Sequence, residues 1–203
     1  ASPGMAAPER LRLLARFFHG GLGFAGNLND YYAADNSFVH RVLETRRGIP
    51  ITLAVLLLEL GEQLGLRMAG VAFPGHFLVK CRVGLGDAVV DPFTGETLSS
   101  TRLEERLSVY RQGSDLPRDL DLPLEFFLQP APPRQILARM LRNLKEVHRA
   151  ARDLPRQLGV LQRLVVLLPG DAAERRDRGL VLEALEQPAA AADDLAFYLA
   201  QRG

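Results

Sequence analysis

His76, in Gly75-His76-Phe77-Leu78-Val79-Lys80, and Asp91, in Val89-Val90-Asp91-Pro92-Phe93-Thr94-Gly95, are the residues of this chain best suited to acid–base chemistry. An imidazole titrates near neutral pH, and a carboxylate bonded to it fixes its tautomer and supports its charged form. The runs Met68 to Phe73, Phe77 to Val83 and Ala88 to Val90 alternate or stay apolar between glycines and prolines, which predicts an antiparallel meander. His76 and Asp91 then fall on neighbouring strands, and register decides whether they meet. With the hairpin centred between Val83 and Gly84, they lie directly opposite; centred on Leu85, Asp91 faces position 79 and the pair is lost. One reading is a base with its orienting acid. The other, which we prefer, is a buried hydrogen bond that holds the sheet while Asp91 also serves the Asp91-Pro92 turn.

The only thiol is Cys81. It lies five residues from His76, on the opposite face of the same strand and about 17 Å away at ~3.3 Å per residue. It reads as a small core residue rather than a nucleophile. A second chemical patch is the polar run from Gly20 to Asn36, with Asn27, Asn29, Asp30, Tyr31, Tyr32, Asp35 and Asn36 close together. Asn27, Asp30, Tyr31, Tyr32 and Asn36, with Arg47 beyond them, could line a cleft for a peptide or small polar ligand. The structural alternative is that asparagine and aspartate build tight turns while tyrosines plug the loop onto a core. Asp30 and Asp35 with His19 or His40 lack metal-ligand spacing, so no metal or other cofactor is expected.

These residues need a frame. Pro8 to Phe18 has helical apolar spacing through Leu11, Leu14, Phe17 and Phe18. Asn36 or Ser37 could cap a helix through Phe38, Val42 and Leu43, ended by Gly48. Pro50 opens another helix, since its fixed φ suits the first turn, and that helix runs apolar on nearly every face to Leu64. Leu98 to Tyr110 gives one more amphipathic helix. Gln129-Pro130-Ala131-Pro132-Pro133 is a stiff joint. The expected organisation is therefore an α+β domain over residues 1–128 and an all-helical tail over 129–203. With Pro169 closing a unit of about 34 residues that starts at Ala138, a second unit starts at Ala172. Gly179, Ala191 and Leu195 then take the small, small and large positions of a tetratricopeptide repeat. Lys145 and Gln157 take the small positions of the first unit, while Leu141, Leu144, Leu161 and Leu164 keep its apolar frame. Two repeats cannot bury their faces alone, so the tail is expected to pack on the first domain.

The run from Gly26 to Lys80, with Gly-Asn-x-x-Asp-Tyr-Tyr, Asn-Ser-Phe, Arg-Arg-Gly-Ile-Pro-Ile and Phe-Pro-Gly-His-Phe-Leu in order, resembles the bacterial Sir-B family. Its members join a transglutaminase-like core to tetratricopeptide repeats, and the same block resembles the core of an F-box ubiquitin-ligase subunit. The resemblance implies a papain-like arrangement of helices on a small antiparallel sheet, and a link to gene regulation rather than a defined reaction. In papain-like and transglutaminase-like enzymes the nucleophile helix begins Gly-x-Cys-x-x-x-Ala and is followed by the histidine and then the acid. This chain reads Gly48-Ile49-Pro50-Ile51-Thr52-Leu53-Ala54, so proline stands at the sulfur position. His76 and Asp91 are then vestigial triad members. Thr52, two residues on, points about 200° around the helix from that position.

Two functions fit. The preferred one is a pseudoenzyme, a transglutaminase-like domain that binds a protein or peptide partner or regulates one. The alternative is a hydrolase or acyltransferase using a His76–Asp91 dyad with Thr52, Ser37 or water. Nucleic acid is not expected, since 25 basic and 24 acidic residues leave a net charge of +1 and no basic stripe is interleaved with aromatics. No apolar stretch approaches the ~20 residues that cross a bilayer, and no export signal is legible. With one cysteine and no disulfide framework, the expected setting is the cytoplasm. The chain starts Ala1-Ser2-Pro3-Gly4 without methionine, as expected of a fragment or of a chain carrying a cloning scar.

Overall fold

A computed structural model describes residues 4–113 and 122–201. The first three residues of the chain and the end of the expected repeat tail, Arg202 and Gly203, lie outside the described residues. The chain divides into two compact units between Pro132 and Pro133, within the proline-rich joint.

The first unit is α+β. Helix α1 (Ala7–Arg16) buries Leu11 and Leu14 and widens into a π turn at Phe17–Gly21, where Phe18 sits in the core. A short parallel pair joins β1 (Ala25–Gly26) to β2 (Arg47–Gly48). Between them lie a 3-10 turn at Ala34–Ser37 and helix α2 (Val39–Thr45). Asn36 and Ser37 do not cap α2. They sit inside the 3-10 turn, and the residue at the cap position is Phe38, with no side-chain cap. Nor does Gly48 end α2; Arg46 does, in the left-handed conformation at φ 60°.

Helix α3 (Pro50–Gln63) is the core helix, with Pro50, Ile51, Thr52, Leu53, Ala54, Leu57 and Gly61 buried. Leu53 and Leu57 are 0% and 1% exposed, and burying each contributes roughly 1.5–3 kcal/mol. Pro50 takes the first helical position, where a missing N–H leaves nothing unsatisfied. Thr52, at the third position, accepts the Ile49 N–H at 3.2 Å, the back-bonding half of a capping box. Gly65, at φ +66°, turns the chain out of the helix after Leu64.

A four-stranded antiparallel meander follows in the order β3 (Met68–Val71), β4 (Leu78–Val83), β5 (Gly86–Val90), β6 (Thr97–Leu98). In the β4–β5 hairpin Val83 pairs with Gly86 and Val79 with Val90, around a two-residue Gly84-Leu85 turn. This register is neither of the two anticipated. Gly84 supplies the φ of +63° that a tight hairpin requires, and Leu85 stands 98% exposed at its tip. Val71, Phe73, Leu78, Val89 and Leu98 on one side pack with Leu103 and Leu107 of α4 (Ser100–Gly113) and with partly buried Leu124, Phe127 and Leu128 from the α5 region (Leu124–Phe127).

Among the described residues the second unit is four helices: α6 (Pro133–Ala150), α7 (Leu154–Leu167), α8 (Ala172–Ala184) and α9 (Pro188–Ala200), each packed on the next. Asp153 and Asp171 cap α7 and α8 through their side chains. Gly179 lets α8 and α9 approach, since a Cβ there would come within 2.8 Å of Leu195. Lys145 and Gln157, the outsized residues at small positions, are both buried. Lys145 is accommodated because its ammonium meets Glu174 and Asp177 of α8, each at 2.8 Å. The run Glu174 to Arg178 bonds both α6 and α9, Arg178 reaching Asp194 through two contacts. His148 is 8% exposed.

Candidate functional site

His76 is not on a strand. It sits in a bend after Gly75, two residues before β4, and Asp91 lies one residue beyond β5. The two still meet: His76 Nε2 is 2.9 Å from Asp91 Oδ1. They do so as residues just past the ends of paired strands rather than as a cross-strand pair.

Asp91 is 1% exposed and holds three donors from three segments. Besides His76, the Phe93 N–H reaches Oδ1 at 2.9 Å and Arg106 of α4 reaches Oδ2 at 3.0 Å. Burial opposes its ionisation, but the His76 bond, with Phe93 N–H and Arg106 adding to it, outweighs burial and holds the carboxyl below the ordinary carboxylate value. An ionised carboxylate only accepts, so the His76 proton belongs on Nε2. Nδ1 is left as the nitrogen with basic capacity, on a side chain 24% exposed, and it has no protein partner among the described residues.

Phe93 links this cluster to the polar run. Its carbonyl accepts the Gly26 N–H at 3.1 Å, and Asn27 N–H continues to Gly48 O at 3.1 Å, next to the start of α3. Its ring stands 6.4 Å from His76 and 5.9 Å from Tyr31, which in turn is 5.3 Å from Tyr32. Four rings therefore form a row, with Tyr32 the most exposed at 88%.

The six anticipated binding residues separate into two kinds. Asn36 is 2% exposed, its amide donating to Asp30 O at 2.7 Å and Tyr31 O at 3.0 Å while its Oδ1 accepts from Asn27 at 3.0 Å. Asn27 also accepts the Asp30 N–H at 3.1 Å. Both asparagines thus hold hydrogen bonds within the loop at both amide ends. Asp30, Tyr31, Tyr32 and Arg47 are exposed, although Arg47 also donates to Gly23 O at 2.8 Å.

The anticipated nucleophiles fare no better. The Thr52 hydroxyl is fully buried, its single proton lying between Asn36 O at 2.9 Å and Ile49 O at 3.0 Å. Ser37 is 6% exposed within the 3-10 turn. Cys81 is fully buried opposite Met68 and Ala88, and burial pushes its thiol up. No group of three metal-ligating side chains occurs among the described residues.

Arg106 and Phe93 were not anticipated. Arg106 has a faint signal, lying beside Leu103 and Leu107 on the buried edge of an amphipathic helix. Phe93 had none, because its partner Gly26 is remote in sequence.

A profile of the transglutaminase-like superfamily matches residues 1–142, and one of the tetratricopeptide repeat matches 144–203. A UPF0162 protein of Xylella fastidiosa is 38% identical over 193 residues, covering 95% of this chain and 68% of the relative. Protein SirB1 of Salmonella typhimurium is 29% identical over 201 residues, 97% of this chain and 71% of the relative. A UPF0162 protein of Vibrio cholerae is 29% identical over 191 residues, 94% and 68%. No solved structure matches the chain.

Proposed function

The chain belongs to the UPF0162 family, a transglutaminase-like domain followed by tetratricopeptide repeats, and on that footing we propose that it is a non-catalytic module that binds a protein partner. The observation that carries this reading lies at the start of α3. Pro50 opens the helix where the resemblance to cysteine enzymes would put the sulfur, and the Thr52 hydroxyl two residues on is buried between two backbone carbonyls. Acyl transfer requires an activated nucleophile, and none of the side chains considered supplies one. In this reading His76 and Asp91 persist as a structural latch, with Arg106 completing it. Asp30, Tyr31, Tyr32 and Arg47 are contact residues on the exposed side of the loop.

The repeat tail supports a protein partner, since stacked helix pairs present extended binding faces. A cytoplasmic setting goes with the reading, supported by the lone cysteine. No helix among the described residues is long and apolar enough to cross a membrane.

The test is hydrolysis of p-nitrophenyl acetate and release of ammonia from glutamine peptides, by wild type and His76→Ala. Equal background rates are expected. A His76-dependent rate would instead favour water or Ser37 activated by the free Nδ1, and the module would be an enzyme.

A further inference from the structure

We infer that the α6–α7 face of the second unit is a docking groove for an acidic amphipathic helix of a partner protein. The groove encloses about 740 Å³. Leu137, Leu141 and Leu144 of α6 line one wall at helical spacing, and Val166 of α7 lines the other. Leu137 is 52% exposed and Val166 82%. Repeat helix pairs bury such faces against the next pair, and α7 packs on α8 with its other side. Within this unit α6 is the first helix, so the face it shares with α7 has no preceding pair to cover it. A trough between two packed helices accepts a third helix lying along it.

Charge selects which helix. Arg134 and Arg163 stand at the groove, and no acidic residue lines it. Elsewhere in the unit Arg142, Lys145, Arg149, Arg156 and Arg178 each reach a carboxylate. Arg134 and Arg163 reach none among the described residues; Arg163 donates only to Gly159 O. An apolar floor with two uncompensated guanidinium groups beside it complements leucines spaced i, i+3, i+7 flanked by glutamates.

This groove rests on the protein-binding reading and names its partner's chemistry. The probe is a capped, fluorescein-labelled helical peptide with that leucine spacing and flanking glutamates, against a twin with lysines instead, titrated with the full chain. The acidic peptide should bind saturably, about tenfold tighter than the twin at low salt, with the difference shrinking as salt rises. The double substitution Arg134→Glu, Arg163→Glu should invert the preference, and Val166→Asp should abolish binding of both. These positions are exposed, and an unchanged circular dichroism melt shows that each variant folds. Equal affinities for the two peptides, or binding indifferent to Val166→Asp, would overturn the proposal. So would a dimer in sedimentation equilibrium that Val166→Asp dissociates, since a second copy would then fill the groove. The hydrolysis assay with His76→Ala reads the first unit alone, so failure of the groove and failure of the non-catalytic reading are separable.

Discussion

The ring of Phe93 lies directly over Gly26: a Cβ built at Gly26 would fall 2.3 Å from the ring, while the Gly26 N–H donates to the Phe93 carbonyl at 3.1 Å. The contact ties the turn that carries Asp91 to the parallel pair beside α3. Because Phe93 N–H is also bonded to Asp91, a displaced ring would disturb the carboxylate.

Gly26→Ala should therefore destabilise the chain by about 1–3 kcal/mol, the usual cost of overpacking a close contact. Gly20→Ala, with open space around its Cβ position and no left-handed φ, should stay within about 0.5 kcal/mol. Urea midpoints of the two variants provide the comparison, and equal midpoints would remove the Phe93 contact from the account.

Asp91 should contribute to acid sensitivity. Its folded-state carboxyl titrates below the ordinary value, so its contribution is complete above the unfolded pKa of about 3.9 and is lost as pH falls through the lower folded value. Asp91→Asn should cost on the order of 3 kcal/mol at pH 7, since Arg106 loses its charge partner, and should flatten the stability curve below about pH 4. Denaturant midpoints between pH 7 and pH 2.5 measure both effects, and a variant curve parallel to wild type in acid would exclude the assignment.

Pro50→Cys should fold, because the first helical turn requires no proline and Thr52 still satisfies the Ile49 N–H. A thiol there, buried like Cys81, lies at a helix N-terminus, which lowers its pKa, whereas the Cys81 thiol has its pKa raised. Iodoacetamide should modify the new thiol about tenfold faster than Cys81 at neutral pH. The decisive comparison adds His76→Ala: a slower reaction places the imidazole in front of position 50, and an unchanged rate means that it never faced it.

In the second unit, Glu174→Ala should be costly, on the order of 3 kcal/mol, since its one carboxylate serves both Lys145 and Arg142, each of which keeps a single other acid, Asp177 and Asp171. Arg156→Ala, removing an exposed i, i+3 pair with Asp153, should cost under about 1 kcal/mol. Thermal melts of the intact chain test the contrast.

Much of this molecule was readable in its residues. Proline at a helix start, an all-apolar helix and glycine-bounded strands are local signals, and α3 and the meander follow them. Register was not readable, because whether the hairpin centres between Val83 and Gly84, on Leu85 or, as found, between Gly84 and Leu85 depends on packing on both sides of the strands. His76 proved to lie off the strand, yet its bond to Asp91 survives, since chain ends just beyond paired strands remain close. The loop asparagines looked like ligand contacts because their amides suit either role; only tertiary burial shows that Asn36 is closed inside the loop. Lys145 at a position built for a small side chain offered no hint of its partners, which lie about 30 residues on in another helix.

The threefold tether of Asp91 has an implication for inferring activity from residues. A bend, a turn and a helix all end on one carboxylate, so the pair of residues most suggestive of catalysis would be retained by folding alone. A histidine and an aspartate in the expected order are then no guide to whether a chain of this architecture turns over a substrate. On the non-catalytic reading, the discriminating letter is the one at the head of α3, where proline begins the helix.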